Sequence, residues 1–179
     1  MTQFEFISVF ASLILGLGLA HLLMGAIDRV YRAKASYEQI AYTIFLLVLV
    51  SLNWWVLFSL RDEPEWSFDQ FFAMVVWSLA LFGGCVALYP PGDAANDSFE
   101  AHRRTFLVAM AFTAPTDILQ TALHGDLFEP WYYMLLPGHG FVLWIIALFV
   151  RNPTFHKILA TYFAGIILLW AFVVRHVVG

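Results

Sequence analysis

Asp117 lies in the middle of an apolar run, and its neighbours make it the first candidate for chemistry. Within residues 105–124, Thr113, Thr116, Asp117, Gln120, Thr121 and His124 fall within about 140° of helix circumference at 100° per residue. The other half of that face, at Phe106, Ala109 and Met110, is apolar. The polar stripe therefore occupies only one half of the helix. A carboxylate at membrane depth is costly to keep and is a functional candidate for that reason. His139 lies in the next apolar run, beside Pro137, Gly138 and Gly140. Imidazole changes protonation near neutral pH, and interrupted helices free carbonyls that can hold an ion. A carboxylate, an imidazole and a broken helix are together what a proton- or cation-handling site requires.

Two further runs contribute at the same level. Counting 1.5 Å per residue, Asp117 and Asn53 lie roughly 10 Å, and His139 and Ser78 roughly 12 Å, below the outer ends of their runs. The expected ion or substrate pathway is therefore Asp117, His139, Asn53, Gln120, Thr113 and Ser78. A structural reading competes with it. Asp117 would cap amides freed near Pro115, His139 would be a satisfied interior histidine, and Pro137 and Gly138 would only bend a helix.

These side chains need long apolar helices to hold them, and the composition supplies them. Of 179 residues, 61% are hydrophobic and 12% charged; mean hydropathy is +0.77. Soluble domains average about 45–50% apolar and about 25% charged residues. The balance excludes an ordinary soluble enzyme and a disordered chain. A formal charge of −4, with 9 Lys+Arg against 13 Asp+Glu, offers no basic surface for nucleic acid. Crossing a bilayer takes about 20 mainly apolar residues. Six runs qualify, at 4–27, 39–60, 70–88, 105–124, 131–150 and 156–178. The fold class is thus all-α, a polytopic integral membrane bundle of about six transmembrane helices forming a single membrane domain over 1–179. The fourth run is the weakest, because it carries the polar stripe. Met1-Thr2-Gln3-Phe4-Glu5 has no basic n-region, so the first run is expected to be a retained span, not a cleaved signal.

Charge sets the expected orientation. Arg29, Arg32, Lys34, Arg103, Arg104, Arg151 and Lys157 fall between alternate spans, which should be cytoplasmic. The opposite connections hold Asp62, Glu63, Glu65, Asp69, Asp126 and Glu129, offset only by Arg61. Both termini are then expected outside, as in a multi-pass protein of a bacterial inner membrane; Arg175 is at odds with this. Asn96-Asp97-Ser98 fits a glycosylation sequon by chance, on the inner side. Aromatic residues are 18% of the chain. Trp66, Phe68, Trp131, Tyr132 and Tyr133 on one side, and Tyr31, Tyr37 and Tyr89 on the other, read as interfacial belts.

In lipid, small residues mark close helix packing. Span one carries Ser8, Ser12, Gly16 and Ala20 at i+4 spacing, and a second stripe of Gly18, His21 and Gly25. Two such stripes predict a helix enclosed within the bundle. Gly83 and Gly84 play the same part in span three, and Ala160 and Ala164 in span six. The acidic turns 62–66 and 126–131 echo one another, but each needs only proline opening a helix, not an inverted repeat.

No cofactor is expected. Haem is disfavoured because the six histidines offer no axial pair at matching depth in the bundle. No lysine lies deep in a span, which excludes a retinal Schiff base. One cysteine, Cys85, makes neither an internal disulfide nor a zinc site, and no metal site is expected. No catalytic motif is present, and the loops are too short for a soluble catalytic domain. Two functions remain. One is a small proton or cation channel or transporter, homo-oligomeric, with the buried polar layer as its path. The other is a non-catalytic accessory or assembly subunit of a larger membrane complex. The partners expected are the lipid bilayer and further membrane subunits or copies of the chain.

Overall fold

In a computed structural model that describes residues 2–62, 65–92, 98–125 and 134–174, the chain forms six α-helices, with no strand among the described residues. They are α1 (Gln3–Tyr31), α2 (Tyr37–Ser59), α3 (Phe68–Leu88), α4 (Phe99–Leu123), α5 (Leu135–Phe149) and α6 (Pro153–Leu169). A 3-10 turn at Leu60–Asp62 follows α2, and α6 continues into a π-helical turn at Trp170–Val174. Five helices are long and apolar enough to cross a membrane; α5 is shorter, with 15 residues. At 1.5 Å per residue α5 covers about 22 Å. Residues 131–134 of the expected fifth span precede it, and 131–133 lie outside the described residues, as do Glu63, Asn96, Asp97, Asp126, Glu129 and Arg175.

The helix starts are written in short polar signals. Thr2 with Glu5, Ser36 with Gln39 and Ser67 with Gln70 each form a reciprocal capping box. Each box satisfies two amides that a helix start would otherwise leave unpaired. At α6, Asn152 caps the Thr154 amide at 2.9 Å and Pro153 follows where its missing N–H costs nothing.

Helices run up and down. Trp66 N–H donates to Gln3 Oε1 at 3.1 Å, and Gln70 Nε2 to the Leu123 carbonyl at 3.1 Å, which joins the α2–α3 connection to the start of α1 and the end of α4. At the other end His21 Nε2 donates to the Tyr89 carbonyl at 2.6 Å, and Tyr37 Oη lies 2.8 Å from Thr161 Oγ1. That second end collects the seven basic residues, with ion pairs Arg32–Asp28 at 2.7 Å and Arg103–Glu100 at 3.8 Å. Around the bundle the helices follow one another as α1, α3, α4, α5, α6 and α2, and α2 returns to α1. Of the five long helices, α3 is the most enclosed and α1 the least.

Two sequence expectations are corrected here. α1 packs on both α3 and α2, as two stripes suggest, but it is not inside the bundle. It sits at the edge, with Phe6, Val9, Leu13, Leu17, Met24 and Ile27 outward. Only its second stripe packs closely. A Cβ built on Gly25 would fall 2.5 Å from Tyr89 Cβ, and one on Gly18 3.4 Å from Phe82 Cα. Gly16 meets nothing within 4 Å, Ala20 is exposed, Ser8 is half-buried, and Ser12 accepts from Trp54 Nε1 at 3.0 Å. In α3, a Cβ built on Gly84 would fall 3.1 Å from Met110 Sδ, while one on Gly83 would meet open space. Lipid and protein interior are equally apolar, so composition does not tell which stripe is packed. The second correction concerns the backbone. Neither Pro115 nor Pro137-Gly138 interrupts its helix. Pro137 is in the first turn of α5, where no amide bond is lost. Pro115 is inside α4, and its ring faces outward.

Toward the basic end the bundle is filled by rings. Tyr42 packs on Phe106 (4.7 Å between centroids), Trp144 (5.8 Å) and Phe99 (6.1 Å). Trp144 stacks on Phe163 at 3.8 Å and 7°. Above this layer, toward the acidic end, the packing opens.

Candidate functional site

The opening is a cavity among α2, α3, α4, α5 and α6, with about 80 Å3 of room for water centres. One water needs about 10–15 Å3 on that measure, so the space admits more than one. Its polar lining is Asp117 and Thr113 from α4, Asn53 from α2 and His139 from α5. Its apolar walls include Phe45, Trp77, Trp144 and Phe163. Four of the six residues expected on the pathway thus come together from three helices.

The other two are elsewhere. Ser78 is fully buried, but its hydroxyl donates to the Met74 carbonyl of its own helix at 2.9 Å. Gln120 is buried one turn beyond Asp117, with its amide nitrogen 3.4 Å from His124 Nδ1. α3 meets the cavity through Trp77, one residue before Ser78. A one-residue step turns a helix by about 100°, which is enough to exchange one side chain for the other.

Each polar group in the cavity has a distinct state. Asp117 is half-buried in the cavity wall, with Trp77 lining the same space from α3, and a carboxylate's lone pairs take only donors. Asn53 is 4% exposed, and its Nδ2 has no hydrogen-bond partner among the described residues. His139 Nδ1 bonds the Leu135 carbonyl. A carbonyl only accepts, so Nδ1 carries the proton, and Nε2 of the neutral ring is an acceptor. That Nε2 is buried and has no partner among the described residues. Thr113 donates to the Met110 carbonyl at 2.7 Å, and Thr116 to the Thr113 carbonyl at 2.8 Å. These hydroxyls lace the turn around Pro115, whose ring withholds the amide that would have met the Ala111 carbonyl.

The aromatic walls were missed by reading polar residues alone. A signal existed. Trp77 and Trp144 lie well inside apolar runs, whereas tryptophan in a membrane protein concentrates at the interfaces. A buried indole N–H also needs an acceptor, and the nearest acidic residue at that depth is Asp117. The histidine ring is held in the same aromatic setting. It stands edge-on to Tyr162 (5.8 Å, 89°) and near-parallel to Phe163 (6.5 Å, 19°).

A second set of buried polar atoms lies at the basic end. His156 is 1% exposed; its Nε2 donates to the Val150 carbonyl at 2.9 Å, and Nδ1 has no partner among the described residues. Tyr42 Oη is likewise buried without one. The sequence placed His156 at a span edge and gave it no role. Among the described residues no three His, Cys, Asp or Glu side chains gather where they could hold a metal ion.

The chain matches no protein-family model, no curated protein and no solved structure. Fold and cavity therefore define a class: a multi-span apolar helical bundle, compatible with a membrane protein, with a mixed polar and aromatic cavity in one half.

Proposed function

We propose that the protein is a small multi-span inner-membrane transporter that takes a cation into this cavity. The basic end would face the cytoplasm, and the start of α1 and the end of α6 the outside. One observation carries the reading. The Asp117 carboxylate, the unpartnered Asn53 amide and the unpartnered His139 Nε2 meet in one cavity from three helices. Polar groups without partners are expensive in a hydrocarbon surround, and a bound ligand gives all three something to bond. The ring layer of Tyr42, Phe106, Trp144 and Phe163 beneath the cavity favours a gated transporter over a standing pore. An accessory or assembly subunit would give the cavity no task.

The test is cation and proton flux into proteoliposomes, wild type beside Asp117→Asn. The substitution keeps the shape and removes the charge. Flux in the wild type, lost in the variant, is the expected result. Absence of flux in both, at several pH values and with either sign of voltage, overturns the proposal.

A further inference from the structure

The cavity's chemistry narrows the kind of cation. It offers one carboxylate, one imidazole lone pair and the lone pairs of a threonine hydroxyl. Calcium or magnesium asks for about six or more oxygen ligands, and zinc for about four nitrogen, oxygen or sulfur ligands. This lining falls short of both, and no cluster of three metal-ligating side chains lies among the described residues. Most of the wall is apolar, and four of its members, Phe45, Trp77, Trp144 and Phe163, are aromatic. Aromatic faces attract a cation that has given up its water, with tryptophan the strongest. Ligand sites that are mainly apolar with a few convergent polar groups suit organic molecules.

The hydrogen-bond polarity points the same way. Asp117 accepts, as does His139 Nε2 when the ring is neutral, so the ligand must donate. Asn53 also lines the cavity, and its Nδ2 is a buried donor without a partner among the described residues, which leaves room for a ligand that also has an acceptor. The room limits the ligand to on the order of five non-hydrogen atoms beyond what projects into the mouth.

Resting on the transporter reading above, we propose that the cavity binds a small organic cation bearing N–H donors, a primary alkylammonium or a guanidinium. Its nitrogen would lie between Asp117 and His139, and its apolar body against Trp77, Trp144 and Phe163. A metal ion, a quaternary ammonium and a neutral alcohol of the same size each lack one element of this match.

The experiment uses purified full-length protein in detergent and four probes: n-butylammonium, tetramethylammonium, n-butanol and sodium. Binding is read by calorimetry and by the shift in melting temperature that a ligand of the native state produces. Sodium and proton flux is measured after the same protein is reconstituted into proteoliposomes. Butylammonium binding at least about tenfold tighter than that of tetramethylammonium or butanol supports the inference. So does a loss of about tenfold or more in Asp117→Asn, with the variant's far-UV spectrum unchanged. The probe series on the wild type decides the matter even where that variant does not fold. Equal binding of butylammonium and butanol overturns the inference, because the charge then does nothing. Equal binding of tetramethylammonium overturns it too, because the acceptors do nothing. Sodium or proton flux that depends on Asp117, without butylammonium binding, overturns this inference and leaves the transporter reading standing. Neither flux nor binding overturns both.

Discussion

Asn53→Leu should make the protein more stable and less able to bind its ligand. The side chain is 4% exposed, and Nδ2 has no partner among the described residues. A buried, unsatisfied donor costs about 1–3 kcal/mol. Leucine has a similar size, removes that cost, and faces apolar neighbours such as Leu49, Leu81 and Ile167. Whatever bond the amide oxygen makes is lost, but interhelical polar contacts in membranes average only about 0.6 kcal/mol. The net gain is about 1–2 kcal/mol. At about 2–4 °C per kcal/mol for a chain of this size, the melting temperature should rise by roughly 2–8 °C. Thermal unfolding in detergent, followed by circular dichroism, reads the shift, and proteoliposome uptake reads the function. Ser78→Ala is the control. Its hydroxyl serves only its own helix, and its removal should stay within about 0.5 kcal/mol. A fall in melting temperature for Asn53→Leu would mean that the amide holds the bundle together, and would refute the reasoning. A rise with uptake intact would remove Asn53 from the site.

The glycines form a ruler for the packing of α1. Gly25→Ala should cost about 1–3 kcal/mol, because the new methyl group falls 2.5 Å from Tyr89 Cβ. Gly16→Ala should be neutral or raise stability by up to about 1 kcal/mol through helix propensity. Equal melting temperatures for the two would place α1 wrongly on α3. Ser67→Ala removes a cap that accepts from the Gln70 amide at 3.2 Å, and should cost about 0.5–2 kcal/mol. Hydrogen exchange should then rise first in the opening turn of α3. Trp144→Ala removes the ring stacked 3.8 Å from Phe163 and should cost about 3–5 kcal/mol. In proteoliposomes the same variant should raise passive leak, and an unchanged leak would show that the ring layer is not the barrier.

Much of the fold was legible because lipid leaves few alternatives. Every backbone group must bond within its own segment, so long apolar runs must be helices, and short polar signals such as Ser36 with Gln39 mark their starts. The level of the polar layer was legible too, since rise per residue converts position into depth. Asp117, Asn53 and His139 meet in one cavity because three helices carry them to similar heights. Rotation was harder to read. Whether Ser78 or Trp77 turns toward the cavity depends on about 100° of helix rotation. That angle is set by neighbours far away in sequence, such as Met110 against Gly84. The same ambiguity hid the position of α1, whose two small stripes look alike on paper while only Gly18 and Gly25 meet a neighbour closely.

The two halves of the bundle answer different demands, and the difference argues for function. Without a hydrophobic drive between helices, stability in lipid comes from close van der Waals contact. The half near the basic end supplies it densely, through Tyr42, Phe99, Phe106, Trp144 and Phe163. If stability were the only demand, the other half would be packed in the same way, since the chain has apolar residues in plenty. Instead it keeps a cavity with a carboxylate in its wall, at the place where each costs most. The tryptophans make the case sharper. Trp77 lines the cavity beside Asp117, and Trp144 is at once part of the wall and of the packed layer below. A side chain shared by the binding wall and the barrier gives a bound ligand direct mechanical access to the barrier. In the proposed transporter, occupancy of the cavity would bear directly on the stack of Trp144 on Phe163.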